Sequence, residues 1–352
     1  MKRDKVIDLC KGIGIFLVVL GHVIHSDATI FGVNTNNIIY VFHMPLFFII
    51  SGILLSYSLK EGTPKSFIAK KTRGIMVPYF VFSAISFVYW AAIEIRMRPT
   101  AENIVILDVL KNIFLMRVDG GYLVPNIVLW FLPCLFFSQI IFYCIYMTSK
   151  KRICRIIMSC LCFFIGIALS TNNIILPLSI ETALVSVLFL DFGYEIANLL
   201  NRIKVSRHAK IFAGIFGFLL YSVALSLNGD VSMLGHNYGN PLLFIAGALG
   251  GFLLIYLAAL SLSCLNMGLS RFVSFIGRNS IAIMLIHEPI KRAVIYIISK
   301  MTFIGEGDIR YNFLYSLVTT IVVVLLLVPF IVAINKWTPS IIGAKNKKHA
   351  NA

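Results

Sequence analysis

The first apolar stretch of the chain carries an acid, a basic residue and a histidine at helical spacing. Lys11 and His22 are eleven residues apart, nearly three whole turns of an α-helix, so both side chains lie on one face. Asp8 lies three residues before Lys11 on the same face. A near-neutral imidazole suits the removal of a proton from a hydroxyl group. We therefore predict a polar pocket for acid–base chemistry on this face; the alternative for Asp8 and Lys11 is an edge position where both charges reach water.

Helical geometry limits how these residues work together. Eleven residues rise by roughly 16 Å along a straight helix and fourteen by roughly 20 Å, so His22 touches neither Lys11 nor Asp8. Ile15 and Val18 lie between them on the same stripe. The sequence therefore predicts one elongated pocket that this stripe lines.

A second helix adds a histidine, a proline and a pair of small residues. Pro45 follows His43 closely and removes a backbone donor, which leaves carbonyl groups free near the imidazole. Ser51 and Gly52 form a small pair that lets another helix, or a slim substrate chain, approach closely. A packing kink is the alternative interpretation of Pro45 and Gly52.

The other polar residues predict little chemistry by themselves. His22, His25 and His43 lack a supporting carboxylate pattern, so we predict no metal site. Glu181 lies within an apolar stretch, where an acid needs a partner that the sequence does not name. The seven cysteines include no C-x-x-C pair, and we expect inert thiols without a disulfide framework.

The composition identifies the surroundings of these helices. Of 352 residues, 59% are hydrophobic and 13% are charged, and the mean hydropathy is +0.90. These values exclude a water-soluble globular enzyme, because a core of this size cannot hide so much apolar surface. The net charge of +16 would indicate a nucleic-acid partner in a polar protein. Here basic loops that hold helices in a membrane explain it, so we predict a lipid bilayer and no nucleic acid as partner.

We predict an all-α fold, a polytopic membrane helical bundle with about ten transmembrane helices. The predicted spans lie near residues 6–25, 38–59, 75–95, 127–147, 153–170, 174–192, 211–228, 241–264, 273–293 and 313–335. Connections rich in Lys and Arg, such as 60–74, alternate with connections that have none, such as 26–37. The positive-inside rule then places both termini in the cytoplasm.

The chain is predicted to form a single transmembrane domain, residues 1–340, followed by a basic cytoplasmic tail, residues 341–352. The N-terminal apolar run contains charges, so we expect a retained first helix and not a cleaved signal peptide. The connection 95–126 is long and of mixed charge, which predicts an external lid or a re-entrant segment. Four basic residues within 291–310 lie on the outer side of the membrane, where the positive-inside rule predicts few basic residues. They indicate an anionic ligand or a wrongly drawn ninth span.

Several motifs resemble, in the same order, those of the membrane acyltransferase-3 family. They are Ile7 to Gly12, Val18 to His22, Phe42 to Phe48 with Ser51-Gly52, Lys70 to Arg73 with Val77-Pro78-Tyr79, Trp130 to Leu132, and Ile276 to Ser280 with Leu285-Ile286-His287. Many members have arginine at the positions of Lys11 and Lys70. These lysines resemble the fucose O-acetylase-like branch, and they keep the charge but lose bidentate binding of a carboxylate or phosphate.

The resemblance implies an integral-membrane O-acyltransferase of the bacterial cytoplasmic membrane. Such an enzyme moves an acetyl group from acetyl-CoA to a hydroxyl of a surface polysaccharide or lipid-linked sugar, with no permanently bound cofactor. His22 is then expected to be the general base. Lys11 is expected to be an electrostatic partner of the acyl donor or of the developing charge, and Asp8 is expected to orient Lys11.

The remaining motifs are expected to bind the two substrates. Lys70, Lys71 and Arg73 are expected to bind the phosphates of coenzyme A, although membrane topology alone also explains a basic inner loop. The residues expected on the acceptor side are His43, Ser51, Trp130 and His287. Some relatives of the family are thought to move small molecules or to assist polysaccharide export, so a transporter or exporter is the alternative. The presence of His22 and the lack of an inverted repeat in the sequence favour the enzyme.

Overall fold

The fold is an all-helical bundle, as the sequence predicts. The computed structural model describes residues 4–30, 33–59, 63–97, 105–116, 125–149, 151–200, 206–265 and 268–343. A small antiparallel pair of strands, β1 (Thr29–Ile30) and β2 (Val33–Asn34), follows the first helix.

The helices, in chain order, are α1 (Lys5–Val23), α2 (Thr35–Tyr40), α3 (His43–Ser58), α4 (Pro64–Lys71), α5 (Val77–Tyr89), α6 (Ile95–Met97), α7 (Ile106–Leu115), α8 (Phe131–Thr148), α9 (Arg152–Thr171), α10 (Ile180–Leu200), α11 (Arg207–Leu227), α12 (Pro241–Cys264), α13 (Gly268–Arg278), α14 (Ser280–Thr302), α15 (Glu306–Tyr311) and α16 (Phe313–Trp337). The π-helical turns Thr72–Met76 and Trp90–Glu94 join α4 to α5 and α5 to α6. The 3-10 turns are Ile127–Trp130, Pro177–Ser179 and Pro339–Ile342.

Nine helical stretches among the described residues are long and apolar enough to cross a bilayer, which identifies a multi-pass membrane protein. They are Lys5–Val23, Thr35–Ser58, Pro64–Ile93, Ile127–Thr148, Arg152–Thr171, Pro177–Leu200, His208–Leu227, Pro241–Cys264 and Phe313–Trp337. Each of them overlaps one of the predicted spans.

The remaining predicted span, at 273–293, has wrong bounds. The helix is interrupted at Asn279, whose amide nitrogen donates to the Phe275 carbonyl at 2.8 Å and whose amide oxygen accepts from Asn335 at 2.8 Å. α14 then runs for 23 residues to Thr302 and carries charged residues in its middle. Charges at such a position are costly in lipid unless they are paired inside the protein.

Two other predicted spans differ at their N-terminal ends. The second span stops at Tyr40 and restarts at His43, so Pro45 lies in the first turn of α3 and not at a mid-helix kink. Proline is tolerated there because that backbone N–H has no helical partner. The third span begins at Pro64, after the N-cap Thr63, so the predicted basic loop is largely helical.

The connection 95–126 contains α7, which packs against the bundle. Its residues Val109 and Ile113 are buried, and the hydroxyl of Tyr79 donates to the Ile113 carbonyl at 2.7 Å. Residues 98–104 and 117–124 lie outside the described residues, so the lid or re-entrant segment stays a prediction. The same holds for the basic tail from residue 344 onwards.

Small residues let α1 pack at the centre of the bundle. α1 contacts α3, α12, α13, α14 and α16, and its residues Leu9, Cys10 and Val19 are fully buried. α13 crosses so closely that a Cβ atom added at Gly277 would overlap the Asp8 carbonyl oxygen. Such close approach is the usual role of small residues between membrane helices. The central position of α1 brings its polar stripe inside the protein.

Contacts between helix ends define two ends of the bundle. The Asp8 backbone lies against Gly277, and Gly343 lies against Gly74, next to the basic residues 70–73. We call this the basic end. The C-terminal turn of α1 lies at the opposite end.

Candidate functional site

The N-terminal half of the α1 stripe lies at the basic end. Asp4 caps the helix, because its carboxylate accepts from the backbone N–H of Val6 at 2.8 Å. One turn later, Lys11 Nζ lies 3.8 Å from Asp8 Oδ1. Asp8 is 4% exposed, so the pair does not simply extend into water. The geometry supports the expectation that Asp8 orients Lys11, whose role stays a prediction.

The C-terminal turn of α1 is held by side chains from other elements. The last carbonyl groups of a helix have no partners within the helix. Here Gly21 accepts from the Tyr40 hydroxyl at 3.2 Å, His22 from Lys291 Nζ at 3.0 Å, and Val23 from Arg310 Nε at 3.1 Å. The backbone that carries His22 is therefore fixed on several sides.

A second imidazole lies beside His22. The ring centroids of His22 and His287 are 5.5 Å apart. Nδ1 of His287 lies 3.0 Å from the Ile283 carbonyl oxygen and 3.1 Å from that of Met284, so Nδ1 carries the proton. Nε2 of His287 is then a buried acceptor, and it has no hydrogen-bond partner among the described residues. Two histidines predicted at the site from distant parts of the chain are thus neighbours.

A polar cavity of about 320 Å³ opens from His22 at the end opposite to the basic end. His43 and Trp130, both predicted on the acceptor side, line it together with Tyr40. The other polar residues of its wall are Ser26, Asp27, Asn34, Asn36, Asn37, Asp230 and Ser232. Asn37 donates to Asp230 at 2.7 Å, whereas the buried amide oxygen of Asn36 has no partner among the described residues. Such amides, carboxylates and hydroxyls are suited to bind a polyhydroxylated ligand.

A narrow apolar slot of about 40 Å³ meets this cavity at His22. Both are lined by His22, Met44 and Trp130. Ile15 and Val18, the apolar members of the predicted stripe, line the slot and extend it along α1 towards Lys11. His22 therefore lies where a polar cavity and an apolar slot meet.

The His43 side chain is fixed by the break between α2 and α3. Its Nδ1 lies 3.1 Å from the Ile39 carbonyl oxygen, and its ring meets that of Tyr40 edge to face at 4.6 Å. The Ile39 carbonyl near His43 is not free, because it also accepts from the backbone N–H of Phe42 at 3.3 Å. It belongs to the end of α2 at Tyr40, and no kink at Pro45 is needed to place it beside His43.

Of the predicted site residues, only His22, His43 and Trp130 line the two cavities that meet at His22; the others, Asp8, Lys11, Ser51, Lys70, Lys71, Arg73 and His287, line neither. Lys70 and Arg73 are exposed at the basic end, and Lys71 Nζ lies 5.3 Å from the centre of the Phe67 ring. Ser51 lines neither cavity. Its neighbour Gly52 packs against the backbone of α10, so the small pair serves helix packing.

Glu181 has a partner that the sequence does not indicate. Its Oε1 lies 3.9 Å from Nδ1 of His236, and its Oε2 accepts from the backbone N–H of Leu176 at 3.1 Å. His236 comes from the connection between α11 and α12. The same connection is buried at Tyr238, and this burial raises the pKa of the Tyr238 hydroxyl. Glu181 thus ties this connection to the start of α10.

Sequence reasoning does not predict the charged cluster on α14 beside His22. Glu288 Oε1 accepts from Lys291 Nζ at 2.8 Å and from Arg292 Nε at 3.1 Å. Two signals for it exist in the sequence. The acid precedes its partners by three and four residues, the spacing of helical ion pairs, and the cations stand on the side that the charge rule leaves neutral.

Comparison with known proteins gives one match. The model of a family described as an acyltransferase domain matches residues 4–334, from the N-cap of α1 into α16. No curated protein and no solved structure matches the chain. The match thus includes every residue assigned above to the site.

Proposed function

The chain belongs to the membrane acyltransferase-3 family, and from this membership we propose that it moves an acetyl group from acetyl-CoA to a hydroxyl of a cell-surface glycan or lipid-linked sugar. The acyltransferase domain and the multi-pass helices support acyl transfer in a membrane. The position of His22 between a polar cavity and an apolar slot carries the finer proposal. The bacterial cytoplasmic membrane and the fucose O-acetylase-like branch remain proposals of the same kind.

The proposed reaction needs a base between its two substrates. His22 accepts the proton of the acceptor hydroxyl as the oxygen attacks the thioester carbonyl carbon. The new C–O bond forms and the C–S bond breaks, and coenzyme A leaves as a thiolate that takes up the proton. His22 suits this role because it borders both cavities, so one imidazole reaches an acceptor on one side and an acyl group on the other.

The acyl donor is proposed to enter from the basic end. Lys70, Lys71 and Arg73 lie there and carry charges that match the phosphates of coenzyme A. Ile15 and Val18 line the apolar slot between Lys11 and His22, which suits the uncharged acyl end of the donor.

The acceptor is proposed to bind in the polar cavity. Its wall presents amide, hydroxyl and carboxylate groups, and Trp130 offers an aromatic face for a sugar ring. His43 lies on the same wall and is proposed to contact the acceptor rather than the donor.

The proposal is tested by acetyl analysis of the surface polysaccharide. A deletion strain is complemented with wild type, His22→Ala or His208→Ala, since His208 is exposed on α11 and distant from the site in sequence. Loss of a general base is expected to lower acetylation by about 100-fold or more. His208→Ala is expected to restore acetylation fully.

Protein levels of all three strains are measured in the same membranes. Full acetylation by a normally expressed His22→Ala protein would refute the catalytic role of His22. A transporter gives another pattern: less polysaccharide reaches the surface, but the acetate content per sugar is unchanged.

A further inference from the structure

One of the three side chains that hold the C-terminal turn of α1 is a buried cation. Ile24 N–H bonds to the Leu20 carbonyl at 3.0 Å and ends the helical pattern. The His22 carbonyl accepts from Lys291 Nζ at 3.0 Å, across 269 residues of sequence. A cation at a helix C-terminus also interacts favourably with the helix dipole. Lys291 therefore holds the residue whose side chain borders both cavities.

The Lys291 ammonium is itself held in place by an acid. Lys291 is 7% exposed and Glu288 is 3% exposed, and their charged groups are 2.8 Å apart. An unpaired charge at such a position is strongly unfavourable, so the pair stays together. Arg292 shares the same carboxylate oxygen at 3.1 Å. Glu288 thus limits where the Lys291 ammonium can go.

The last turn of a helix opens more readily than its middle, because its carbonyl groups lack helical partners. A base in that turn loses its alignment with the reacting atoms whenever the turn opens. Positioning errors of about 1 Å can lower a reaction rate by about 100-fold. The bond from Lys291 to the His22 carbonyl opposes this opening at the residue whose side chain borders both cavities.

We propose that Lys291, held by Glu288, is a positioning residue that keeps the His22 imidazole at the junction of the polar cavity and the apolar slot. The catalytic half of this proposal rests on the proposed acyltransferase function. The geometric half concerns only the position of His22. The proposal also explains why α14 carries basic residues on the side of the membrane that the positive-inside rule leaves neutral.

The geometric half is tested by chemical labelling of His22 in the full-length protein, purified in detergent. Diethyl pyrocarbonate modifies accessible histidines, and mass spectrometry gives the rate for each one, with exposed His208 as the internal reference. Loss of one hydrogen bond from the last turn is expected to raise the His22 labelling rate about fivefold in Lys291→Met. Lys291→Arg keeps a donor and a charge, and is expected to stay within about twofold of wild type.

Lys300→Met is the matched control, because Lys300 lies exposed on the same helix. Lys291→Gln serves as a second variant if Lys291→Met does not fold, since the amide keeps a donor without the charge. An intermediate His22 labelling rate is then expected. An unchanged His22 rate in a folded Lys291→Met or Lys291→Gln protein overturns the proposal, whatever the transfer rate is.

Transfer kinetics test the catalytic half. Lys291→Met is expected to lower kcat about tenfold or more while the KM for acetyl-CoA stays within about twofold, because alignment and not donor binding is lost. Lys291→Arg is expected to restore most of kcat. Equal losses in both variants, or a change confined to KM, contradict a positioning role. If the wild type transfers no acetyl group but the labelling pattern is as expected, the proposed function fails and the geometric half stands.

Discussion

At the scale of single residues, the neighbouring histidines His22 and His287 are the centre of the proposed site. Their rings are 5.5 Å apart, and His287 offers a buried acceptor nitrogen that has no partner within the described part of the chain. His287 lines neither cavity, so it is expected to act on the reaction through the neighbouring His22 ring and not by touching the hydroxyl itself. We therefore expect the two histidines to act as one unit.

This expectation predicts non-additive losses. His287→Ala is expected to lower acetyl transfer. The double variant His22→Ala/His287→Ala is expected to transfer as much as His22→Ala alone, because the contribution of His287 depends on the presence of His22. Acetate per sugar is measured for the three variants at equal expression. A double variant whose loss equals the product of the two single losses would show independent roles.

At the scale of helices, an ion-pair cluster joins α9 to α10. Arg155 Nε donates to Asp191 at 2.8 Å, and another nitrogen of the same guanidinium pairs with Glu195. The Arg155 side chain also lies over the Tyr194 ring, with 4.6 Å between the guanidinium carbon and the ring centre. Only a third of the α9 span is buried within the protein, so we expect this cluster to anchor the helix.

We expect Arg155→Met to lower the free energy of unfolding by about 3 kcal/mol or more, because it leaves the buried Asp191 carboxylate without its charged partner. Arg152→Met is the matched control, since the Arg152 side chain is 72% exposed and pairs with the same Glu195. It is expected to cost about 0–1 kcal/mol. Unfolding in mixed detergent micelles measures both. Equal effects of the two substitutions would remove the anchoring role of Arg155.

The basic residues near the start of the third spanning stretch, Pro64–Ile93, are predicted to bind the acyl donor. Changing Lys70, Lys71 and Arg73 together to Ala is expected to raise the KM for acetyl-CoA about tenfold, since charged hydrogen bonds to phosphate are lost. Changing Lys151 and Lys210 together to Ala controls for the general loss of positive charge. Initial rates in isolated membranes over a range of acetyl-CoA concentrations give both values. A KM equal to that of the control variant excludes this cluster from the donor site.

Charge distribution predicts the orientation of the whole molecule. The basic end is expected in the cytoplasm, and α14 is expected to cross the bilayer although its middle is charged. An alkaline phosphatase fused after Gly305 is therefore expected to be active outside the cytoplasm. The same enzyme fused after Gly268, the first residue of α13, is expected to be inactive. Phosphatase activity normalised to fusion protein measures both, and an inactive fusion after Gly305 would mean that α14 does not cross.

Much of the architecture follows from the amino-acid sequence by itself. Composition and hydropathy determine a multi-pass helical bundle, because an apolar stretch of about 20 residues is stable in a bilayer only as a helix. Helical period alone places Lys11, Ile15, Val18 and His22 on one stripe, and the last three of these residues line the apolar slot. Helix bounds near polar groups were less predictable, as at Asn279 and Pro64, because capping and charge pairing there compete with hydropathy.

Only the tertiary structure decided what surrounds His22. Lys291 lies 269 residues from the carbonyl that it binds, and no local pattern relates the two positions. They meet because Gly12 and Gly277 let α13 cross α1 closely, which brings the start of α14 alongside α1. Periodicity determines the face on which a side chain lies, whereas the neighbour of that face depends on which helices can approach it. The sequence therefore determined the stripe, and packing of distant helices determined the site.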